Sequence, residues 1–301
     1  MNILIIYPSW EDRSLLGFEK DIESTVFDRV ILFENTRPIN SDKISSVKTK
    51  IIEKCENVKL KIETITLDFD RSSSWSILKD LVSTFKSGDN ITIDVSTMSR
   101  NLIWALSFFI KEIVASVDFI YHQPNKYSED WLSRDADLPR LLFKHSGIVS
   151  IEKQTLMVIV TGFDIERTKQ LVYYYNPSKV VLLIQEPNRL DDEKRNTFEL
   201  HSDECRKIGL RAEVEIIDCY NQDWGYNVIE KVVSENVTNY NIIVSSLGPK
   251  LSAVSVYKTY IKHPEIALTY IPCKEYNIDY SEGIGRCFSK KVCFSELRVT
   301  K

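Results

Sequence analysis

Residues Ile93–Arg100 read IDVSTMSR and residues Ile243–Lys250 read IVSSLGPK, which puts Ser246 150 residues after Ser96 and Lys250 the same distance after Arg100. Further pairs keep nearly the same distance. Ile217-Asp218 follows Leu67-Asp68 by 150 residues, and Trp224 follows Trp75 by 149. The segments PSWEDRS (Pro8–Ser14) and TGFDIERT (Thr161–Thr168) each carry an aromatic residue and then an arginine, Arg13 or Arg167. YHQPNKYSED (Tyr121–Asp130) resembles YIPCKEYNIDYSE (Tyr270–Glu282). Matches in one order at a nearly constant offset make chance a poor explanation and point to an internal duplication. The architecture must then be one that about 150 residues can build twice. A first copy is expected over 1–150 and a second over 151–301, with the boundary near Ser146–Lys153 (SGIVSIEK).

The short apolar runs repeat as well. Asn2–Tyr7 corresponds to Leu156–Val160, and Val30–Phe33 to Val180–Ile184. Glu63–Leu67 corresponds to Glu213–Ile217, Ile91–Val95 to Asn241–Val244, and Val117–Tyr121 to Ala267–Ile271. Continuous apolar runs of this length predict strands covered on both faces, the habit of parallel sheets. Segments such as Trp75–Phe85 and Leu102–Val114 have helical periodicity and lie between such runs. Strand alternating with helix is the α/β pattern. The expected fold class is α/β: two tandem Rossmann-like modules, each a mostly parallel sheet of about five strands flanked by helices. Asn40–Ser46 is expected as a polar loop entering a helix, and residues 186–196 as a solvated helix start.

Composition narrows the class. Hydrophobic residues make up 43% of the chain and charged residues 27%, a globular balance. A formal net charge of −4 argues against a protein that coats nucleic acid through bulk charge, while leaving room for a local basic pocket. The six cysteines form no CxxC pair and the four histidines show no metal spacing, so neither a metal nor a cofactor is expected. The N-terminal apolar run is short and is followed by acids, which predicts a first strand rather than a signal peptide. No run approaches the roughly 18 apolar residues of a membrane span. The expected location is cytoplasmic, with reduced thiols.

In an open parallel sheet a ligand binds beyond the carboxyl ends of the strands, where the strand order reverses. With the first strand central, that point lies between strands one and four. The expected ligand-binding residues in the first copy are Ser9, Trp10 and Arg13 after strand one, and Ser96, Thr97, Ser99 and Arg100 after strand four. In the second copy they are Gly162, Phe163 and Arg167, then Ser245, Ser246, Gly248 and Lys250. Hydroxyls and open backbone N–H groups at a helix N-terminus favour an anion, and a basic side chain adds a charge-assisted contact. Trp10 and Phe163 are positioned to stack on a base. The simpler reading is that the hydroxyls cap the next helix. Capping, however, does not call for a basic residue at the same register twice. Asp94 before Ser96 would orient Arg100 or a ligand hydroxyl, and the loop YSEGIG (Tyr280–Gly285) is either a lid or a plain turn.

The chain carries no GxGxxG, GxxxxGK[ST] or GxSxG motif, and no general acid–base pair stands out. The segments DVSTMSR and VSSLGPK resemble the strand-four motif of CRISPR-associated Rossmann fold (CARF) domains, a hydroxyl-rich turn with a basic residue opening the next helix. The first copy departs from that pattern in lacking a glycine before Arg100. The resemblance implies a sensor of a nucleotide-type anion, possibly a cyclic oligonucleotide, bound by two such modules paired about a two-fold axis. It also implies a protein partner that receives the signal, in prokaryotic antiviral defence. The two modules use nearly all the residues, leaving no room for an attached nuclease. A phosphodiester-cleaving or nucleotide-processing enzyme such as a ring nuclease, and a structural subunit of a complex, are the alternatives. Gly248 and Pro249 in the second copy, against Met98 and Ser99 beside Asp94 in the first, predict that Lys250 contributes more to anion affinity than Arg100.

Overall fold

The computed structural model describes residues 1–68, 71–186 and 192–297. In the first half of the chain the elements are β1 (Asn2–Ile6), α1 (Asp12–Ser24), β2 (Arg29–Asn35), α2 (Ser41–Asn57), β3 (Lys61–Leu67), α3 (Ser73–Ser83), β4 (Asn90–Asp94), α4 (Arg100–Ile110) and β5 (Ser116–His122). Three further strands follow, β6 (Lys126–Tyr127), β7 (Ser133–Ala136) and β8 (Arg140–Ser146). The pattern then restarts with β9 (Gln154–Val160), α5 (Ile165–Tyr175), β10 (Lys179–Gln185), α6 (Asp192–Arg195), α7 (Phe198–Lys207) and β11 (Ala212–Ile217). It continues with α8 (Tyr226–Asn236), β12 (Tyr240–Ser246), α9 (Lys250–Lys262) and β13 (Ala267–Tyr270). The last strands are β14 (Cys273–Tyr276), β15 (Ser281–Glu282) and β16 (Cys287–Cys293).

The apolar runs become strands because both of their faces are covered. Ile3 to Ile6 of β1 and Leu156 to Val160 of β9 are all buried. Two six-stranded sheets result, ordered β16-β5-β4-β1-β2-β3 and β11-β10-β9-β12-β13-β8. In each, five strands run parallel, and the sixth, β16 or β8, is antiparallel to its neighbour β5 or β13. The chain is thus α/β with two Rossmann-like modules, each sheet one strand wider than the repeat predicts. Around β1 and β2, Phe18 of α1 and Ile51 and Cys55 of α2 close one core. Leu171 and Val172 of α5 and Cys205 of α7 do the same over β9 and β10.

The chain divides into two compact units, Met1–Asp130 with Asn277–Glu296, and Trp131–Tyr276 with Leu297–Lys301. These units do not follow a cut at residue 150. β8, which lies before the second repeat in sequence, completes the second sheet, while β16 near the chain's end completes the first. Small ribbons keep the same exchange: β6 pairs with β15 in the first unit, and β7 with β14 in the second. The exchange gives each outer parallel strand an antiparallel neighbour that its own half lacks, so β5 and β13 do not end the sheet as open edges.

Two smaller expectations change. Helix α2 begins at Ser41, so most of the segment expected as a polar loop is already helical. YSEGIG is held as part of the first unit: β15 pairs with β6, and the Gly285 N–H donates to the Gln123 carbonyl at 2.6 Å. Within the charged segment 186–196, residues 187–191 lie outside the described residues, and α6 follows them.

Candidate functional site

In the first unit β1 lies between β2 and β4, and in the second β9 lies between β10 and β12, so the strand order reverses where the sequence places it. The loops after these strands carry the expected residues. In the first unit Thr97 Oγ1 donates to the Tyr7 carbonyl at 2.6 Å and ties the two loops together. Ser96 is fully buried; its hydroxyl donates to Asp94 Oδ1 and accepts from the His122 backbone N–H at 2.7 Å. Ser9 is buried as well, and its N–H donates to Ser14 Oγ at 3.0 Å. Ser99 is the N-cap of α4 but makes no side-chain cap hydrogen bond, and Arg100 is the first helical residue, half-buried.

The second unit repeats the plan with other atoms. Ser245 and Ser246 are buried, and Ser246 Oγ shares a 2.7 Å hydrogen bond with Ser252 Oγ. Pro249 is the N-cap of α9, and Lys250 opens the helix, half-buried. In neither unit do the hydroxyls cap the following helix. Ser96, Thr97 and Ser246 brace the turns from within, while the basic residue sits at the helix start.

The glycines of the second unit answer to packing between its two loops. A Cβ on Gly162 would lie 2.3 Å from the Leu247 carbonyl oxygen, and one on Gly248 would lie 2.7 Å from the Thr161 carbonyl oxygen. The backbones meet where Thr97 bridges them in the first unit. Close approach of protein backbone therefore accounts for Gly248, whereas the sequence reading gave it to a ligand. Gly162→Ala is expected to cost about 1–3 kcal/mol, the range for overpacking, because a backbone carbonyl cannot rotate away. Chemical denaturation of the variant measures it; a loss under about 0.5 kcal/mol would contradict the contact.

Arg13 and Arg167 lie inside their units. Arg13 is 3% exposed; it pairs with Glu11 at 2.9 Å and donates to Tyr121 Oη at 3.3 Å and to the His122 carbonyl at 3.2 Å. Burial opposes its charge, but Glu11 and three tyrosines hold its pKa well above the usual arginine value. Arg167 is 7% exposed; it pairs with Asp164 at 3.2 Å and donates to Cys273 Sγ, Ser133 Oγ and Tyr276 Oη. Arg13 pins the first helix of its module to the end of β5, and Arg167 pins α5 to the segment after β13, so the repetition has a structural cause. Trp10 is half-buried, with Nε1 donating to the Asn277 carbonyl at 3.1 Å and its ring edge-on to Tyr280. Phe163 is half-buried.

Behind the first turn lies a group that residue spacing does not reveal. Asp21 of α1, Asp94 of β4 and His122 of β5 are all buried, with one potential ligand atom of each within 4.8 Å of the others. His122 Nε2 meets Asp21 Oδ1 at 2.9 Å. Burial alone would lower the imidazolium pKa, but the hydrogen bond it donates to Asp21, aided by Cys287 and Asp94, raises it to about 10. Burial and the Asp21 charge push Asp94 up to about 6, against His122 and Ser96. Asp94 is thus held by Ser96 and this cluster. The three residues stand far apart on three elements, and no local motif joins them.

The second unit buries a histidine of its own on α7. His201 Nδ1 lies 2.8 Å from Thr168 Oγ1, and Nε2 lies 3.1 Å from the Gly162 carbonyl. Burial lowers its pKa to about 4. An unfolded histidine takes up a proton near pH 6.5, so between about 6.5 and 4 the unfolded chain binds more protons than the folded one. This stabilising contribution is complete above pH 6.5 and is lost as pH falls toward 4. Melting curves across pH 4–7 should therefore show a steeper acid decline in the wild type than in His201→Gln; parallel curves would contradict the assignment.

Solved structures similar to this chain include one titled "Structure of a Type III CRISPR defence DNA nuclease activated by cyclic oligoadenylate", at a TM-score of 0.53 and 7% sequence identity over 86% of this chain. The two share a fold. This chain spans 64% of that nuclease chain's length. No family model and no curated protein matches the sequence. Among the described residues no helix is long and apolar enough to cross a membrane.

What each turn can do chemically is limited. A half-buried cation at the start of a long helix, beside the strand-order reversal, can hold an anion through its charge and the helix dipole. The one hydroxyl that meets a carboxylate at these turns among the described contacts, Ser96 on Asp94, is fully buried.

Proposed function

We propose that the chain is a ligand sensor of the CARF type, binding a nucleotide-type anion at the turns opened by Arg100 and Lys250 and passing the signal to a protein partner in antiviral defence. The observation that carries this reading is the repeated strand-four turn. In both units a buried serine braces the turn and a basic residue starts the helix at the strand-order reversal. The fold likeness to a nuclease activated by cyclic oligoadenylate supports the same ligand class. Expected partners are a small anionic ligand and a protein effector, with no bulk nucleic acid and no membrane. Soluble expression in the cytoplasm with reduced thiols is expected to yield active protein.

The test is a thermal-shift panel of cyclic and linear oligoadenylates and mononucleotides. One class of cyclic oligonucleotide should raise the melting temperature, by an amount that corresponds to about 2.7 kcal/mol at 100 times Kd. The shift should shrink as salt rises. A panel that leaves the midpoint unmoved while the fold is intact contradicts the sensor reading. Release of cleaved product during incubation would replace it with an enzyme.

A further inference from the structure

We infer that Asp21, Asp94, His122 and Cys287 of the first unit form a binding site for a divalent transition-metal ion of the zinc class. The first three come from α1, β4 and β5 and are buried, with a ligand atom of each within 4.8 Å of the others. Asp21 Oδ2 is buried there without a hydrogen-bond partner, although Asp21 is only 3% exposed. Leaving a buried carboxylate oxygen unsatisfied is costly, and a cation is the group that would satisfy it. Cys287 stands directly opposite His122 in the β5–β16 pairing, which puts both side chains on one face of the sheet. Cys287 itself is exposed.

The donor set selects the ion. Two carboxylates, an imidazole and a thiol suit zinc, which takes nitrogen, sulfur and oxygen ligands tetrahedrally; magnesium and calcium prefer oxygen alone. With bonds of about 2.0–2.3 Å, the Asp21–His122 pair, now 2.9 Å apart, would open around the ion while Asp94 closes in. Without an ion, the carboxylates and the imidazole form the ion pair described above. Binding replaces the protons of the imidazole and the thiol, which pass to solvent. The site belongs to one copy only, since Val244 holds the register of Asp94 in the second. It would also fasten β16, supplied by the far end of the chain, to the helix and strands beside the Arg100 turn.

The experiment uses the full chain, stripped with chelator and titrated with Co²⁺ as a spectroscopic probe and then with Zn²⁺. One equivalent of Co²⁺ should bind with visible absorption and a thiolate-to-metal band, and Zn²⁺ should displace it. Asp94→Val, which introduces the residue found in the second copy, should weaken binding at least tenfold, and Cys287→Ser should remove the thiolate band. A second readout needs no variant: saturating Zn²⁺ should slow alkylation of Cys287 by iodoacetamide at least tenfold. Absence of a one-equivalent site in the folded wild type, equal affinity in Asp94→Val, or alkylation unchanged by Zn²⁺ would each overturn the assignment and leave an ion pair only.

Discussion

Arg13→Ala should lower the stability of the first unit by about 3–5 kcal/mol, the cost of removing one partner from a buried ion pair. The substitution leaves Glu11, 7% exposed, with a buried charge and no guanidinium beside it. It also removes the donor to the His122 carbonyl and the contact with Tyr121 at the end of β5. Arg13→Lys should recover little, because a single ammonium cannot reach the carboxylate, the phenol and the carbonyl together. Urea denaturation measures the loss, and hydrogen exchange assigns it to α1 and β5. A loss below about 1 kcal/mol would return Arg13 to the group of exposed, ligand-facing residues.

The second large effect is on binding. Lys250→Ala and Arg100→Ala should each weaken anion binding by about 1.5–3 kcal/mol, roughly 10–150-fold, while leaving the melting temperature of the free protein nearly unchanged. Both residues are half-buried at the first position of their helices, so truncation leaves no cavity in the core. Lys250 is expected to carry more. The carboxylates of Asp21 and Asp94 lie behind the first turn and oppose an anion, whereas Val244 is the corresponding residue in the second unit. Titrating the two single variants with the same ligand decides the order. Equal losses, or a larger one for Arg100→Ala, would remove the asymmetry.

These effects separate what the sequence shows from what it conceals. The parallel strands are legible because β1, β9 and β10 are apolar along their length, as burial on both faces requires. The outer strands are not. β16 alternates buried and exposed residues through CFSKKVC, and only the folded topology pairs it with β5 rather than with a strand of its own half. Of the site, the repeat reveals the strand-four turns but cannot say why each residue recurs. Arg13 and Arg167 recur to pin helices, Gly162 and Gly248 fit a backbone contact, and Ser96 serves as a brace. Asp21, Asp94 and His122 meet only through the fold, so no spacing rule finds them.

The most direct measurement is calorimetric titration of the wild type and the Arg100→Ala/Lys250→Ala double variant with the cyclic oligoadenylate that gives the largest thermal shift. Saturable binding by the wild type, weakened at least a hundredfold in a double variant of unchanged melting temperature, is the predicted result. Undiminished affinity in the double variant would contradict the assignment of the ligand to the strand-four turns.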